Sequence, residues 1–212
     1  MRSLINGLPG DTVSAADRGL AYGDGLFETV RVIDGRPILL DLHLARLNQG
    51  CKRLGLDLDV QSLQAELQTL YSGSADSDQV LKIIVTRAIG GRGYQPDNTQ
   101  QANRYISMNK YVADPQWTET GCAVHLCETM LARQPLLAGI KHLNRLEQVL
   151  AAAELPVGYP EGLMRDTQGH MIEGIRSNLF IIVAGELITP DLSHSGVSGV
   201  MRELICQLQR VR

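Results

Sequence analysis

Aromatic residues are scarce in this chain: two phenylalanines, six tyrosines and one tryptophan make up 4% of 212 residues. Platforms that stack nucleic-acid bases need such rings. A formal net charge of −3 and a pI near 5.9 also argue against the basic face of a nucleic-acid binder. Apolar runs are short and strand-like, as in Leu179 to Ala184, and none approaches the ~20 residues that cross a bilayer. The first eight residues lack the cationic segment and apolar core of a signal peptide. Cys51, Cys122, Cys127 and Cys206 form no C-x-x-C pair and no zinc spacing, and the five histidines form no H-E-x-x-H. These absences predict a reduced, metal-free cytoplasmic protein with neither a nucleic-acid nor a membrane partner.

What is present is an ordinary globular composition, 44% apolar and 20% charged, enough for one large domain or two small ones. Ser3 to Ile5 reads as a strand turning at Asn6-Gly7. Leu26 to Ile33 reads as another, turning at Asp34-Gly35 into Ile38 to Leu40. Leu40, Leu44, Leu47, Cys51 and Leu54 form one helical stripe; Val60, Leu63, Leu67 and Leu70 form a second. Gly73 to Asp78 is a polar loop, Val80 to Ala88 a strand, and Tyr105 to Val112 its partner. Between the last two lies a glycine-rich loop, Gly90 to Tyr94.

Asp114-Pro115 marks a boundary, giving subdomains over 1–113 and 114–212. Beyond it come a strand at Cys122 to Cys127, a helix from near Leu143, and strands at Gly162 to Asp166, Met171 to Glu173, Asn178 to Val183 and Glu186 to Thr189. A last helix starts near Gly199. Strands cluster with helices appended, so the predicted class is α+β.

Lys141 stands at the junction of the loop ending Gly139-Ile140 and the helical spacing that follows. A lysine there can lose solvation and its proton and form a Schiff base with a carbonyl. Three further features suit the same chemistry. Glu173 ends a hairpin arm, Arg46 lies on the first long helix, and Ser195 to Gly199 is a small-residue loop opening a helix. Such a loop offers backbone N–H groups and a favourable dipole to a phosphate. Amine, carboxylate, guanidinium and phosphate nest together fit pyridoxal 5'-phosphate. Taken singly, Arg46 also reads as a solvated helix residue, Glu173 as a strand end, and Ser195 to Gly199 as a turn and N-cap. Gly23-Asp24-Gly25 meets Glu28 where a dinucleotide fingerprint needs a third glycine, so that reading fails.

The motifs in order are Asp17-Arg18-Gly19, Tyr22-Gly23-Asp24-Gly25-Leu26-Phe27-Glu28-Thr29, His43-Leu44-x-Arg46-Leu47, and Thr86-Arg87-x-x-Gly90-Gly91-Arg92-Gly93-Tyr94. They continue with Gly139-Ile140-Lys141-His142-Leu143-Asn144-Arg145, Glu173 with Ser177-Asn178-Leu179-Phe180, and Gly196-Val197-x-Gly199-Val200-Met201-Arg202. In these the chain resembles the fold-type IV pyridoxal-phosphate enzymes, and among them the 4-amino-4-deoxychorismate lyases. The resemblance implies a two-subdomain architecture like that of the D-amino acid and branched-chain aminotransferases, with the cofactor between the subdomains of each protomer of a homodimer. It implies that Lys141 bonds the cofactor and shuttles protons and that Glu173 pairs with the pyridinium nitrogen. Arg46, with the Val197 and Ser198 backbone, would hold the phosphate.

Phe27 and Thr29 would line the substrate pocket, and Arg87, Arg92 and Tyr94 would approach it from the glycine-rich loop. For Arg92 and Tyr94 a mobile surface loop is the other reading. The implied activity is release of pyruvate from 4-amino-4-deoxychorismate to give 4-aminobenzoate, a folate precursor. A fold-type IV aminotransferase acting on D-amino or branched-chain amino acids is the alternative, and a non-catalytic homologue a second. Family members continue past the point matching Arg212 with a segment that closes the cofactor pocket, so the chain reads as C-terminally shortened.

Overall fold

A computed structural model describes residues 2–72, 78–112 and 119–211. The Asp114-Pro115 boundary and most of the polar loop that starts at Gly73 lie outside them. The chain divides into two compact units, residues 1–113 with 141–144, and residues 114–140 with 145–212.

The first unit is built on a six-stranded antiparallel sheet in the order β2-β1-β6-β5-β3-β4. Its strands are β1 (Arg2–Ile5), β2 (Leu8–Pro9), β3 (Gly25–Ile33), β4 (Arg36–Pro37), β5 (Asp78–Thr86) and β6 (Asn103–Lys110). The hairpins close as the residue pairs demand. Asn6 and Gly7 have φ of 49° and 84°, and Asp34 and Gly35 have 48° and 71°, the double left-handed geometry of a two-residue turn that matches strand twist. Alternation along β3 buries Leu26, Glu28, Val30 and Val32 and turns Phe27, Thr29 and Arg31 to the other face.

Helix α2 (Leu40–Leu54) packs on that buried face through His43, Leu44, Leu47 and Cys51. It approaches closely at Gly50, where a Cβ would lie 2.8 Å from Leu26 Cδ1. Helix α3 (Val60–Tyr71), capped by Asp59 accepting from the Ser62 N–H at 3.0 Å, adds Leu63, Leu67 and Leu70. Each fully buried leucine contributes about 1.5–3 kcal/mol. A short helix α1 (Arg18–Tyr22) precedes β3.

One expectation fails here. Ile38 to Leu40 is not a strand. The Ile38 N–H bonds Arg31 O at 2.8 Å, Leu39 then turns left-handed at φ 54°, and Leu40 already begins α2.

The second unit carries β7 (Val124–Leu126), β8 (Glu161–Arg165) and β9 (Met171–Gly174) in that spatial order, β7–β8 parallel and β8–β9 antiparallel. A separate hairpin joins β10 (Ile181–Val183) to β11 (Glu186–Ile188). Helix α4 (Leu146–Ala153) lies between β7 and β8 in the chain, as a parallel crossover requires, and α5 (Val200–Leu208) follows β11. Cys127, Leu131, Ala151, Met164, Ile172 and Leu192 form its core. On α4 the leucines at helical spacing are not the buried residues: Leu146 is 76% exposed and Leu150 59%, whereas Ala151 is fully buried. Among the described residues no helix is long and apolar enough to cross a membrane.

Candidate active site

Lys141 is not at a helix start. Residues 141–144 belong to the first unit and lie along the beginning of β3. The Phe27 N–H donates to Lys141 O at 2.9 Å and the Leu143 N–H to Gly25 O at 3.0 Å, with His142 opposite Leu26. With those groups engaged in strand pairing, no helix can begin at Leu143; α4 begins at Leu146. The Lys141 ammonium lies 4.5 Å from the centroid of the Phe27 ring.

A second lysine shares that ring. Lys82 on β5 places its Nζ 4.2 Å from the Phe27 centroid and stands opposite Thr29 in the β3–β5 register. Burial pushes its pKa below the ordinary lysine value, and it forms no ion pair among the described residues. Phe27, Thr29 and Lys82 therefore share the sheet face opposite α2. Sequence reasoning singled out the first two and missed Lys82. The signal was available: strand alternation puts residue 82 on that face once β5 is paired with β3.

Arg46 projects from α2 onto Glu28, the inward residue between Phe27 and Thr29. Its Nε donates to Glu28 Oε1 at 2.7 Å and its Nη2 to Oε2 at 2.5 Å, while His43 Nδ1 lies 2.7 Å from Oε2. Burial alone would raise the Glu28 pKa. The hydrogen bonds from His43 and Arg46 outweigh it and hold the carboxyl below its usual range. Glu28 and His43 thus orient the guanidinium, a role the sequence left unassigned.

In the loop after β5, Arg87 is 8% exposed. Its Nε and Nη2 donate to Asp24 at 2.8 and 3.1 Å, Nη1 to Gly55 O at 2.9 Å and Asn98 Oδ1 at 3.0 Å, and Nη2 also to Leu54 O at 2.7 Å. That engages all the donors of a guanidinium, so Arg87 ties α2 to the loop. Arg92 and Tyr94 stand outward, Tyr94 87% exposed.

In the second unit Glu173 is the penultimate residue of β9, 4% exposed. Its Oε2 accepts the Val197 N–H at 2.8 Å. The Ser198 N–H donates to Gly139 O at 3.0 Å, and the Gly139 N–H to Gly196 O at 2.9 Å. The residues named for the phosphate nest therefore use their amides to pair with Glu173 and with the strand leading to Lys141. The donors left to an anion are those of the first turn of α5, whose N-cap Gly199 makes no side-chain cap bond. Ser195 Oγ, beside the turn at Gly196, is buried with no hydrogen-bond partner among the described residues. Arg145 faces Glu173; burial draws its pKa down and the charges of Glu173 and Glu147 oppose that.

The first unit thus holds an amine over an aromatic ring and an oriented guanidinium, and the second a buried carboxylate and a helix start without a side-chain cap. The model of the family described as Amino-transferase class IV matches residues 25–212. The aminodeoxychorismate lyase of Vibrio harveyi is 36% identical over 206 residues, 96% of this chain and 75% of that protein. A putative branched-chain-amino-acid aminotransferase of Methanocaldococcus jannaschii is 30% identical, over 93% of this chain and 69% of its own. The crystal structure of 4-amino-4-deoxychorismate lyase from Pseudomonas aeruginosa superposes with a TM-score of 0.91 at 46% identity, covering 97% of this chain and 76% of that one. With most of its length inside the family model and these relatives on either side of it, the chain belongs to the class IV aminotransferase family, with the α+β fold of the fold-type IV enzymes.

Proposed function

We propose that this chain is a pyridoxal-phosphate-dependent carbon–oxygen lyase that converts 4-amino-4-deoxychorismate to 4-aminobenzoate and pyruvate, serving folate biosynthesis in the cytoplasm as a homodimer. The observation that carries the reading is the graded similarity, 46% and 36% identity to two such lyases against 30% to an aminotransferase.

The chain's donor set fits the cofactor: a lysine on the open sheet face, an arginine oriented by a buried acid, a buried glutamate, and an orphaned hydroxyl at Ser195 beside an uncapped helix start. When bound, pyridoxal phosphate supplies an aldehyde that takes up amines and a ring that draws electron density from the carbon bearing the substrate nitrogen.

Lys141 would contribute the amine that holds the aldehyde and, when neutral, its Nζ would take the proton from the amine-bearing carbon of the substrate. It then returns a proton to the enolpyruvyl group as its C–O bond to the ring breaks. Loss of that proton and that group leaves an aromatic ring, so the products are 4-aminobenzoate and pyruvate with atoms conserved. Glu173 would keep a proton on the ring nitrogen. Arg46, kept in orientation by Glu28, and the first turn of α5 hold the phosphate, near the Val197 and Ser198 backbone. Phe27, Thr29 and Lys82 border the substrate, and Arg92 and Tyr94 reach it from their loop, which Arg87 braces.

The test is direct. Purified protein with pyridoxal phosphate is given 4-amino-4-deoxychorismate and assayed for pyruvate and 4-aminobenzoate. An amino acid with a keto acid is the parallel assay for amino exchange, the reading that the Methanocaldococcus relative favours. Pyruvate release that disappears in Lys141→Ala and falls severely in Glu173→Ala supports the lyase. Amino exchange without pyruvate release overturns it.

A further inference from the structure

Arg18 opens α1 and is only 5% exposed, yet its side chain serves a distant loop. Its Nε donates to Asp24 Oδ2 at 3.0 Å, its Nη1 to Gly93 O at 2.8 Å and Gly90 O at 3.4 Å, and its Nη2 to Tyr94 O at 3.2 Å. One buried guanidinium thus meets three carbonyls of the glycine-rich loop, a fork that lysine could not reproduce. Its carbon lies 4.9 Å from the Tyr22 ring centroid, and that ring lies 5.4 Å from the ring of Tyr94. The same Asp24 carboxylate takes Arg87. Burial would raise its pKa, but the two arginines hold it below the usual carboxylate range. The loop backbone is tight in itself: Gly91 has φ 80°, and a Cβ there would lie 2.2 Å from Gln95 O.

The side chains on this held backbone are the opposite of buried. Tyr94 is 87% exposed. Arg92 is exposed, and its guanidinium makes no hydrogen bond or ion pair among the described residues. A loop that only connects β5 to β6 is ordinarily mobile. Here a buried arginine fixes the main chain beneath a cation left open to solvent.

We infer that Arg18 is a positioning residue: it sets the backbone of Gly90–Tyr94 so that Arg92 is presented in one orientation to a carboxylate of the substrate. The inference rests on the lyase reading, whose substrate carries two carboxylates; Arg18 itself touches neither.

Arg18→Gln tests it. Asp24 keeps Arg87 in that variant, so the strand ends stay tied. The first readout is tryptic cleavage of the Arg92–Gly93 bond in protein without substrate, which reports local opening rather than activity. Cleavage is expected to accelerate about tenfold or more, the effect of losing charge-assisted hydrogen bonds. The second is a split of kinetic constants: KM rises about tenfold while kcat stays within about threefold. Adding Arg18→Gln to Arg92→Gln raises KM no further than Arg92→Gln alone. Unchanged cleavage, or a KM effect that adds in full to that of Arg92→Gln, overturns the assignment.

Should Arg18→Gln fail to fold, Arg18→Lys carries the same cleavage test, since it keeps a charge beside Asp24 but loses the fork to the loop carbonyls; a smaller rise is expected, and none overturns the idea. If the unaltered protein releases no pyruvate, the lyase reading falls, while the cleavage result still judges the clamp.

Discussion

Glu28 and Arg46 are joined at two points in the protein interior, Nε to Oε1 at 2.7 Å and Nη2 to Oε2 at 2.5 Å, with the carboxylate side chain 1% and the guanidinium 9% exposed. Removing one partner of a buried pair strands the other, a loss of about 3–5 kcal/mol. Glu28→Ala should lower the unfolding free energy by that order and weaken pyridoxal phosphate binding, measured by guanidinium unfolding and by absorbance titration with the cofactor.

The same pair sets a pH dependence. The folded Glu28 carboxyl releases its proton more readily than the ordinary value of 4.5, so the unfolded chain binds more protons in that window. The stability it adds is complete above about pH 4.5 and fades as pH falls through the lower folded value. Unfolding midpoints recorded between about pH 3 and 6 should decline more steeply in the unaltered protein than in Glu28→Gln; parallel profiles would exclude Glu28 as the source.

Lys82 is expected to act through charge rather than through the fold. It lies on the Phe27 ring and opposite Thr29 with no ion pair to break among the described residues. Lys82→Met should raise KM for a dicarboxylate substrate about tenfold and leave the thermal midpoint unchanged or higher, because a desolvated ammonium is replaced by an apolar chain. A lowered midpoint with unchanged KM would reverse that assignment.

Gly196 sits at φ 83°, where a Cβ would lie 2.8 Å from Ile172 Cγ2, 3.0 Å from Leu192 Cδ2 and 3.2 Å from Glu173 Oε2. Gly196→Ala should cost about 1–3 kcal/mol through backbone strain. It should also displace the carboxylate that accepts from Val197, so cofactor affinity falls with stability. Circular dichroism melting and cofactor titration on one sample check both.

How much of this was legible in the sequence depends on whether the cause was local. Asn6-Gly7 and Asp34-Gly35 each carry their turn in their own conformational preferences, and each is a two-residue turn with positive φ at both positions. The stripes of α2 and α3 are periodic over several turns and fold as read. Leu39 in a left-handed conformation carries no such signal, so Ile38 to Leu40 read as a strand.

The residues around Lys141 read as the start of a helix because spacing cannot reveal that β3, more than a hundred residues earlier, claims their main-chain groups. On α4, apolar spacing marked the helix but not which face is buried. Arg87 shows the same limit at the level of chemistry. An arginine surrounded by five acceptors and one facing a substrate have the same letter, and only their three-dimensional neighbours separate them.

The main-chain pairing of Lys141 with β3 has one more outcome. Because the ribbon at this position is held through the Phe27 amide, trimming the side chain to a methyl group should leave the surrounding architecture standing. The hollow opened beside the Phe27 ring would then admit a small free alkylamine. Added methylamine or ethylamine would restore part of the lost proton transfer, a chemical rescue that no collapsed or misfolded variant could display.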